Sequence, residues 1–339
     1  MKIYISDILD KPQFNDLLVL VQQVEKLKTK TNLDYIKLTL SDKSGVLEGK
    51  IWDKAIGLCD KAEVGDIVKI TGKVDSTYAS KPQLIISSLS NTKSDAGIFS
   101  EISIDRSDFY KESKIPLEER KARTFKFIDM IKNDQLRDML NDIFKDEKYK
   151  TYFTFPAAVS MHHAYVGGLS QHVLEMLDLG VYLSNKFDYV NLDIVLAGIL
   201  MHDFAKIWEF EEVQQGVFKY SVLGNLHGHI FMGANFVKEN APKYGIDDET
   251  LIRLIHVVLS HHGKKEWGSP VAPKTLEARI VHRVDVMSEE LRSIDDAIES
   301  RSQDIEKIQI LEEYYYFGFV NNDSLELEKH QTEEEILEN

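Results

Sequence analysis

Cysteine is almost absent from this sequence, which has one cysteine, Cys59, among 339 residues. A single cysteine excludes an internal disulfide framework and any zinc site built from several thiolates. Long apolar runs are missing too, since no stretch approaches the roughly 18–20 apolar residues of a membrane-spanning helix. The first residues also lack the apolar core of a secretory signal. From these absences we expect a cytoplasmic protein that does not enter a membrane.

Basic residues are fewer than acidic residues. The chain has 41 Lys and Arg against 56 Asp and Glu, a net charge of −15, which argues against broad, nonspecific binding of polyanions. The excess of acidic residues is unevenly distributed along the chain. Residues 1–98 hold 14 lysines and 13 acidic residues, and the remainder holds 27 basic and 43 acidic residues. The acidic remainder can still bind phosphates if metal ions lie within it.

Common signatures of other phosphate- and metal-dependent enzymes are missing as well. The sequence has no H-E-x-x-H, no G-x-x-x-x-G-K-[ST] and no G-x-G-x-x-G. Zincin, P-loop and Rossmann sites therefore have no support. A G-x-S-x-G elbow is also absent, so nothing indicates a serine nucleophile.

Residues 1–92 have the pattern of a β-domain. In "LDYIKLTLSD" (33–42) polar and apolar residues alternate, and with "VLEGKIWD" (46–53) this segment predicts a hairpin. Two further strands are expected within 65–90. The stretch from "NDLLVLVQQVEKLKTK" onward resembles the opening of an OB-fold barrel. That resemblance implies a single-strand-binding face on the second and third strands. The candidate stacking residues are Tyr35, Trp52 and Tyr78, and the candidate phosphate contacts are Lys37, Lys50 and Lys73. The alternative is that Trp52 lies in the core and that the lysines form a solvated surface.

The rest of the chain is predicted to be mainly helical. Residues 93–116 are polar and irregular, as in a linker, and residues 117–320 have apolar residues on a helical period. Residues 321–339 are acidic and aperiodic, which predicts a disordered tail.

Histidine is the most informative residue type. Ten of the eleven histidines fall between His162 and His282, and none precedes His162. His202 and Asp203 follow an apolar helix, where a carboxylate without a partner would be strongly unfavourable. His261 and His262 end another apolar helix, expected over 249–263. His172 and Asp285 lie in similar apolar patterns. Imidazoles and carboxylates without thiolates suit Mn, Fe, Co, Mg or Zn.

The order H…HD…H…HH…D resembles the signature of the HD-domain metallophosphohydrolases. The segments "FTFPAAVSMHHAYVGGLSQHVLEML", "GILMHDFAKIWEF", "LHGHIFMG" and "LSHHGKKEWGSPVAPKTLEARIVHRVD" are similar to the motifs of the YhaM-type 3′–5′ exoribonucleases, which carry an OB-fold ahead of an HD domain. The resemblance therefore implies an N-terminal β-barrel followed by an all-α HD domain.

Two divalent ions per subunit are implied by the same resemblance, with Mn favoured. The first ion would be held by His172, His202, Asp203 and Asp285. Asp203 would bridge to the second ion, which would be held by His229, His261 and His262. Adjacent helical residues diverge by about 100°, so one of His261 and His262 could touch the substrate instead.

The implied activity is 3′–5′ hydrolysis of single-stranded RNA to nucleoside 5′-monophosphates, and single-stranded DNA stays open as a second substrate. Asp203 would set the metal spacing, Lys206 would meet a phosphate oxygen, and His163, in preference to His162, would contact substrate or serve as the acid. The family commonly has Leu-Gly where "HDFAK" has Phe204-Ala205. The resemblance also suggests a homo-oligomer.

Two other functions stay open. One is an HD phosphohydrolase acting on small or cyclic nucleotides. Here "GKKEWGSP" replaces the Gly-Tyr-Pro of the cyclic-di-GMP branch, and the OB-like N-terminus favours the exonuclease. The other is a non-catalytic nucleic-acid-binding module, which the complete ligand set disfavours.

Overall fold

A computed structural model describes the protein in two units, residues 1–289 and residues 290–339. The described residues are 2–9, 11–75, 82–93, 108–159, 163–214, 216–299, 305–308, 311 and 313–316.

A closed five-stranded barrel forms the N-terminal part, with strand order β1-β2-β3-β5-β4. Neighbouring strands are antiparallel except β3 and β5, which run parallel. The strands are β1 (Gln13–Lys28), β2 (Asp34–Asp42), β3 (Gly45–Trp52), β4 (Ile67–Asp75) and β5 (Gln83–Asn91), and a short helix α1 (Asp53–Ile56) follows β3. This order and closure confirm the OB-fold, including the predicted hairpin and the two later strands.

The alternating pattern of β2 places its apolar residues inside the barrel. Leu38 and Leu40 are fully buried, and Ile51 of β3 joins them. Gly49 lets β3 pass close to its neighbours, because a Cβ there would come within 2.8 Å of the Leu40 and Ile86 side chains. The opposite face of β2 and β3 is left to polar and aromatic side chains.

The segment 108–115 connects the barrel to the helices and packs against both. Asp108 forms an ion pair with Lys43 at 3.1 Å and another with Lys2. Phe109 is buried in a small cluster with barrel residues and with Val217 of a later hairpin. Residues 108–115 of the predicted linker therefore pack against both the barrel and the helical part.

Helices make up most of the remaining described chain. They are α2 (Leu117–Asp129), α3 (Asp134–Lys145), α4 (Gly168–Ser184), α5 (Leu192–His202), α6 (Lys206–Glu209), α7 (Val222–Asn240), α8 (Asp248–Ser260) and α9 (Leu276–Glu299). The helical HD domain is thus confirmed. Two short hairpins accompany these helices and were not predicted. One joins β6 (Phe210–Gln214) to β7 (Val217–Tyr220), and the other, in the second unit, joins β8 (Ile305–Ile308) to β9 (Glu313–Tyr316).

Helix α5 forms the centre of the helical core. Every residue from Ile194 to His202 is buried, as expected for a helix that is apolar on all sides. Glycines let its neighbours approach closely. A Cβ on Gly198 would lie 2.7 Å from Val257 of α8, and a Cβ on Gly180 of α4 would lie 2.6 Å from Ile199. This packing fixes the position at which α5 ends, which is where the candidate site begins.

Phe204 and Ala205, which depart from the usual Leu-Gly, are both fully buried. Phe204 is surrounded by aromatic rings at centroid distances of 5.2–5.8 Å, from Phe144, Tyr149, Tyr152, Trp208 and Phe236. The larger residue is therefore accommodated by an aromatic cluster beneath the site.

Candidate metal centre and nucleic-acid interface

His202 and Asp203 stand at the C-terminal end of α5, below the protein surface. The Asn191 side chain caps the other end of the helix, and Asp203 leaves helical geometry at φ −109°, ψ 4°. The two side chains are 0% and 2% exposed. Lys206 begins α6 and places its Nζ 2.7 Å from Asp203 Oδ2. A buried ammonium thus faces the buried carboxylate.

His172 and Asp285 come from two other helices, α4 and α9, and meet next to His202. His172 Nε2 lies 3.2 Å from Asp285 Oδ1, and both side chains are buried. The His172 ring centroid is 5.6 Å from that of His202. Ligand-type atoms of His172, His202 and Asp285 all lie within 4.8 Å of one another, so these three residues form one group that could hold a cation.

His261 and His262 enter the site together at the C-terminal end of α8. The helix is assigned to Ser260, His261 keeps helical angles of φ −62° and ψ −33°, and Gly263 follows with a φ of 80°. Their ring centroids are 4.3 Å apart. The divergence of about 100° between adjacent helical residues therefore does not separate them. With His229 they form a second group of ligand-type atoms within 4.8 Å of one another.

His229 is positioned by a break inside α7. Gly228 has φ 69° and ψ 155°, which interrupts the helix one residue before His229. Glu209 Oε1 accepts hydrogen bonds from the backbone N–H of His229, at 3.0 Å, and from its Nδ1, at 2.9 Å. The buried carboxylate of Glu209 therefore fixes both the backbone and the ring.

All five of these imidazoles have Nδ1 engaged by a neighbouring oxygen. His202, His261 and His262 contact the backbone carbonyls of Ile199, Val258 and Trp267, each at 2.7 Å. His172 contacts Ser288 Oγ at 3.1 Å, and His229 contacts Glu209 as described. A proton on Nδ1 would leave the Nε2 lone pair of each ring available to a metal ion. The five Nε2 atoms are therefore candidate metal-binding nitrogens.

Asp203 lies between the two groups. Its Oδ2 is 3.4 Å from His202 Nε2, and its Oδ1 is 3.3 Å from His229 Nε2 and 3.6 Å from His261 Nε2. These separations are short, but Asp203 Oδ1 and the three nitrogens make no well-oriented hydrogen bond within the described residues. Buried polar atoms are rarely left in that condition.

The electrostatics of the two buried carboxylates differ. Burial raises the pKa of Asp203, but Lys206 and His202 outweigh burial and hold that pKa well below its usual range. Burial and the nearby Glu289 raise the pKa of Asp285 well above its usual range. A cation beside Asp285 would reverse that preference, because a bound ion is the largest local charge in such a site.

His261 and His262 of the second group favour the neutral form that binds metals. Burial lowers the pKa of His261 well below the usual histidine range, and neighbouring His262 adds to the effect. Burial and His229 lower the pKa of His262 to about 4. The tautomers, the converging Nε2 atoms and the unbonded Asp203 oxygen together fit divalent cations.

A second candidate surface lies on the outside of β2 and β3. The rings of Tyr35 and Trp52 pack at a centroid distance of 5.1 Å, and Trp52 is 39% exposed. Trp52 is therefore a surface residue and not part of the barrel core. Tyr78 lies outside the described residues.

The three candidate lysines lie in one row across the barrel. Strand pairing places Lys37 opposite Lys50, Lys50 beside Ile85, and Ile85 opposite Lys73. Between the first two lysines stands Glu48, which pairs with each at 3.2 Å. The row of lysines is suited to binding a phosphate backbone, and the Glu48 carboxylate would compete with phosphates for Lys37 and Lys50.

Comparisons with known proteins agree with both parts of the fold. The family model "HD domain" matches residues 169–290, and the model "OB-fold nucleic acid binding domain" matches residues 20–91. The chain is 34% identical over 286 residues to the 3′-5′ exoribonuclease YhaM of Listeria monocytogenes serotype 4b, covering 84% of this chain and 87% of that protein. The chain belongs to the YhaM family.

Other members of the YhaM family give the same relationship. The YhaM proteins of Bacillus licheniformis and of a Geobacillus strain are 33% and 32% identical over 287 and 285 residues. Each match covers 84% of this chain, and the matches cover 87% and 85% of those proteins. Membership makes the protein a hydrolytic enzyme with an HD phosphohydrolase domain.

Within the described residues, no helix has the length and apolar character needed to cross a membrane.

Among the sequence-predicted YhaM site residues, His163 has the most distinctive position. It is 0% exposed, has a positive φ of 52°, and places Nε2 3.1 Å from Glu175 Oε2. Its ring centroid is 5.1 Å from that of His172. In this conformation His163 contacts the half-buried carboxylate of Glu175. His162 lies outside the described residues.

The structure adds three residues that the sequence patterns did not single out, Glu175, Glu209 and Ser288. Ser288 Oγ donates to Glu175 Oε2 at 2.9 Å while it meets His172 Nδ1. Glu175 is three residues after His172, and Ser288 is three residues after Asp285, so helical spacing could have identified both. Glu209 has no such relation to His229, because the β6–β7 hairpin separates them.

Proposed function

We propose that this protein is a metal-dependent exonuclease that degrades single-stranded RNA from the 3′ end to nucleoside 5′-monophosphates. The observation that carries the proposal is that Nε2 atoms from both groups, of His202, His229 and His261, lie 3.3–3.6 Å from Asp203, in a chain that also has an OB barrel. The names of the YhaM relatives support the direction of degradation and the RNA substrate.

Two divalent ions, with Mn favoured, fit the two groups of ligands. His172, His202 and Asp285 would hold one ion, and His229, His261 and His262 would hold the other, with Asp203 between them. When bound, such ions lower the pKa of coordinated water and neutralise charge on a phosphate.

The protein's own groups prepare this centre for a phosphodiester. The Nδ1 contacts lock each imidazole in the orientation that turns Nε2 inward, so little reorganisation is needed. Lys206, fully within the site and 2.7 Å from Asp203, supplies a fixed positive charge that a non-bridging phosphate oxygen can share. His163 reaches the site through Glu175 in this conformation, so its role as a proton donor stays a prediction.

The barrel would hold the strand upstream of the cleaved bond. Tyr35 and Trp52 offer stacking surfaces that accept any base, and the row of Lys37, Lys50 and Lys73 offers contacts to phosphates. Elsewhere the acidic chain repels long polyanions, so binding would be concentrated on this face and at the terminus being cleaved. A homo-oligomeric state stays a prediction, which light scattering of the purified chain would check.

The experiment compares wild type with Asp203→Ala on 5′-labelled single-stranded RNA and DNA, beside a panel of small and cyclic nucleotides. We expect wild type to shorten RNA one nucleotide at a time and to release 5′-monophosphates. Asp203→Ala should lose hydrolysis and retain RNA binding. The same substitution at the exposed Asp188 is the matched control and should change neither. Unchanged hydrolysis by Asp203→Ala, or turnover of small nucleotides alone, would contradict the proposal.

A further inference from the structure

Beside the second group of histidines lies a tight turn, residues 263–268, whose side chains the proposed mechanism does not use. Glycines with positive φ stand at both ends, Gly263 at 80° and Gly268 at 99°. Gly263 is held against the His282 ring, where a Cβ would come within 2.2 Å of the imidazole. Backbone bonds from Trp267 N to Lys264 O and from Gly268 N to Lys265 O close the turn. The turn therefore has a defined shape and position.

Trp267 connects this turn to the metal centre. Its backbone carbonyl accepts the hydrogen bond from His262 Nδ1 at 2.7 Å, so the residue lies one imidazole ring away from the candidate metal-binding nitrogen. Its side chain is not buried in the core but is 50% exposed. An exposed aromatic side chain therefore belongs to the same residue whose carbonyl orients a candidate ligand.

Charge at the turn is opposite to that of its surroundings. Residues 99–339 contain 43 acidic and 27 basic residues, an excess of 16 acidic residues. Within the turn, however, Lys264 and Lys265 outnumber Glu266. Lys264 Nζ lies 4.2 Å from the centroid of the Trp267 ring, and the His282 ring centroid lies 6.4 Å from it. The exposed half of the Trp267 residue can still accept a second planar group.

We propose that Trp267, with Lys264, forms a subsite that stacks the base of the 3′-terminal nucleotide of the substrate. This inference rests on the proposed exonuclease function and adds the residue that grips the terminus. A nucleotide whose phosphate lies at the histidines has its base within reach of the rim, and an aromatic plane accepts any base without reading its sequence. Lys264 strengthens the stack from the far side and adds a charge near the terminal phosphate.

The test uses the full-length protein and two RNAs that differ only in whether the 3′-terminal nucleotide carries a base. Loss of one base–aromatic stack predicts that wild type prefers the intact end by roughly 5- to 100-fold in kcat/KM. Trp267→Leu keeps apolar bulk and the backbone carbonyl, and it should abolish that preference. Trp267→Phe should restore part of it, and Lys264→Gln should reduce it.

Matched controls separate the subsite from general binding and from folding. Tyr189→Leu removes a side chain that is 92% exposed and should leave the preference unchanged. Trp52→Leu on the barrel should weaken binding of both RNAs equally and also retain the preference. Metal content and melting temperature of Trp267→Leu should match wild type. If metal content or melting temperature differs, the preferences of Trp267→Phe and Lys264→Gln for a terminal base test the subsite instead.

The outcomes distinguish this inference from the proposed function. Wild type that degrades RNA from the 3′ end while Trp267→Leu keeps the full preference for a terminal base would overturn the subsite alone. A preference that depends on an internal base rather than the terminal one would also overturn it. If no RNA is hydrolysed, the proposed function fails, and anisotropy measurements of the two RNAs on Asp203→Ala still report whether Trp267 recognises the terminal base.

Discussion

Glu48 restrains the strand-binding face, and its removal should strengthen RNA binding. The carboxylate lies 3.2 Å from both Lys37 Nζ and Lys50 Nζ, so each lysine is partly neutralised before RNA arrives. Hydrogen bonding to Glu48 outweighs desolvation and raises the pKa of Lys37, which keeps that lysine charged. Phosphates must therefore compete with Glu48 for both cations. Glu48→Gln retains the size of the side chain and removes the nearest carboxylate of both lysines, while Glu25 stays 3.8 Å from Lys37 Nζ.

The size of the effect follows from the geometry. One carboxylate is shared by two lysines, so the substitution adds one net positive charge to the row. For a single strand, each additional phosphate contact changes the slope of log K against log salt by about 0.7, so Glu48→Gln should steepen the slope by about that amount. Two partly exposed ion pairs contribute little each, so binding at low salt should tighten roughly two- to tenfold.

Fluorescence anisotropy with a labelled single-stranded RNA measures both quantities. The measurement is made in an Asp203→Ala background so that the RNA stays intact. Glu63→Gln is the matched control, because Glu63 also pairs with a barrel lysine, Lys61, but lies outside β2 and β3. Weaker binding by Glu48→Gln, or a slope equal to that of Glu63→Gln, would show that Lys37 and Lys50 do not meet phosphates.

Two further predictions concern the helical part. Glu209→Ala removes the acceptor of both the His229 backbone N–H and Nδ1, so metal affinity measured by competition with a chelator should fall about 10- to 100-fold, with partial rescue by Glu209→Gln; unchanged affinity would exclude His229 as a ligand. Phe204→Ala empties the centre of the aromatic cluster and should lower the free energy of unfolding by about 3–5 kcal/mol. Chemical denaturation followed by the fluorescence of Trp208, whose ring lies 5.7 Å from Phe204, checks this value, and a loss below about 1 kcal/mol would show that the cluster does not depend on Phe204.

The fold was largely predictable from periodicity. The alternation of Ile36, Leu38 and Leu40 specified the inward face of β2, and the apolar run before His202 specified a central helix. The β6–β7 hairpin was not predictable in this way, because its strands span only 210–214 and 217–220 and its residues lack a long alternating run. It is held by tertiary packing, with Val217 buried against Phe109.

The candidate ligands were predictable for a different reason. Histidine and aspartate at the ends of apolar helices are costly unless something partners them, so their positions in the sequence stand out. The groups that orient them gave a weaker signal. Trp267 acts on His262 through a backbone carbonyl, which any residue could supply, and Glu209 reaches His229 only because the chain folds back.

The end of α8 shows where local reasoning was insufficient. A helix continuing to Gly263 would direct His261 and His262 about 100° apart, which made their joint role doubtful. His261 keeps helical angles of φ −62° and ψ −33°, and the two ring centroids are nevertheless 4.3 Å apart. The angular step between adjacent residues therefore does not decide whether two long side chains reach the same centre.

The central claim is that two groups of histidines, with Asp203 between them, hold two divalent ions. Elemental analysis of the full-length protein, dialysed after loading with Mn²⁺, tests this most directly. We predict about two ions per chain for wild type and about one for the double substitution His229→Ala and His262→Ala, because only the second group loses its ligands. A wild-type protein without bound metal, or a double variant that keeps two ions, would contradict the account.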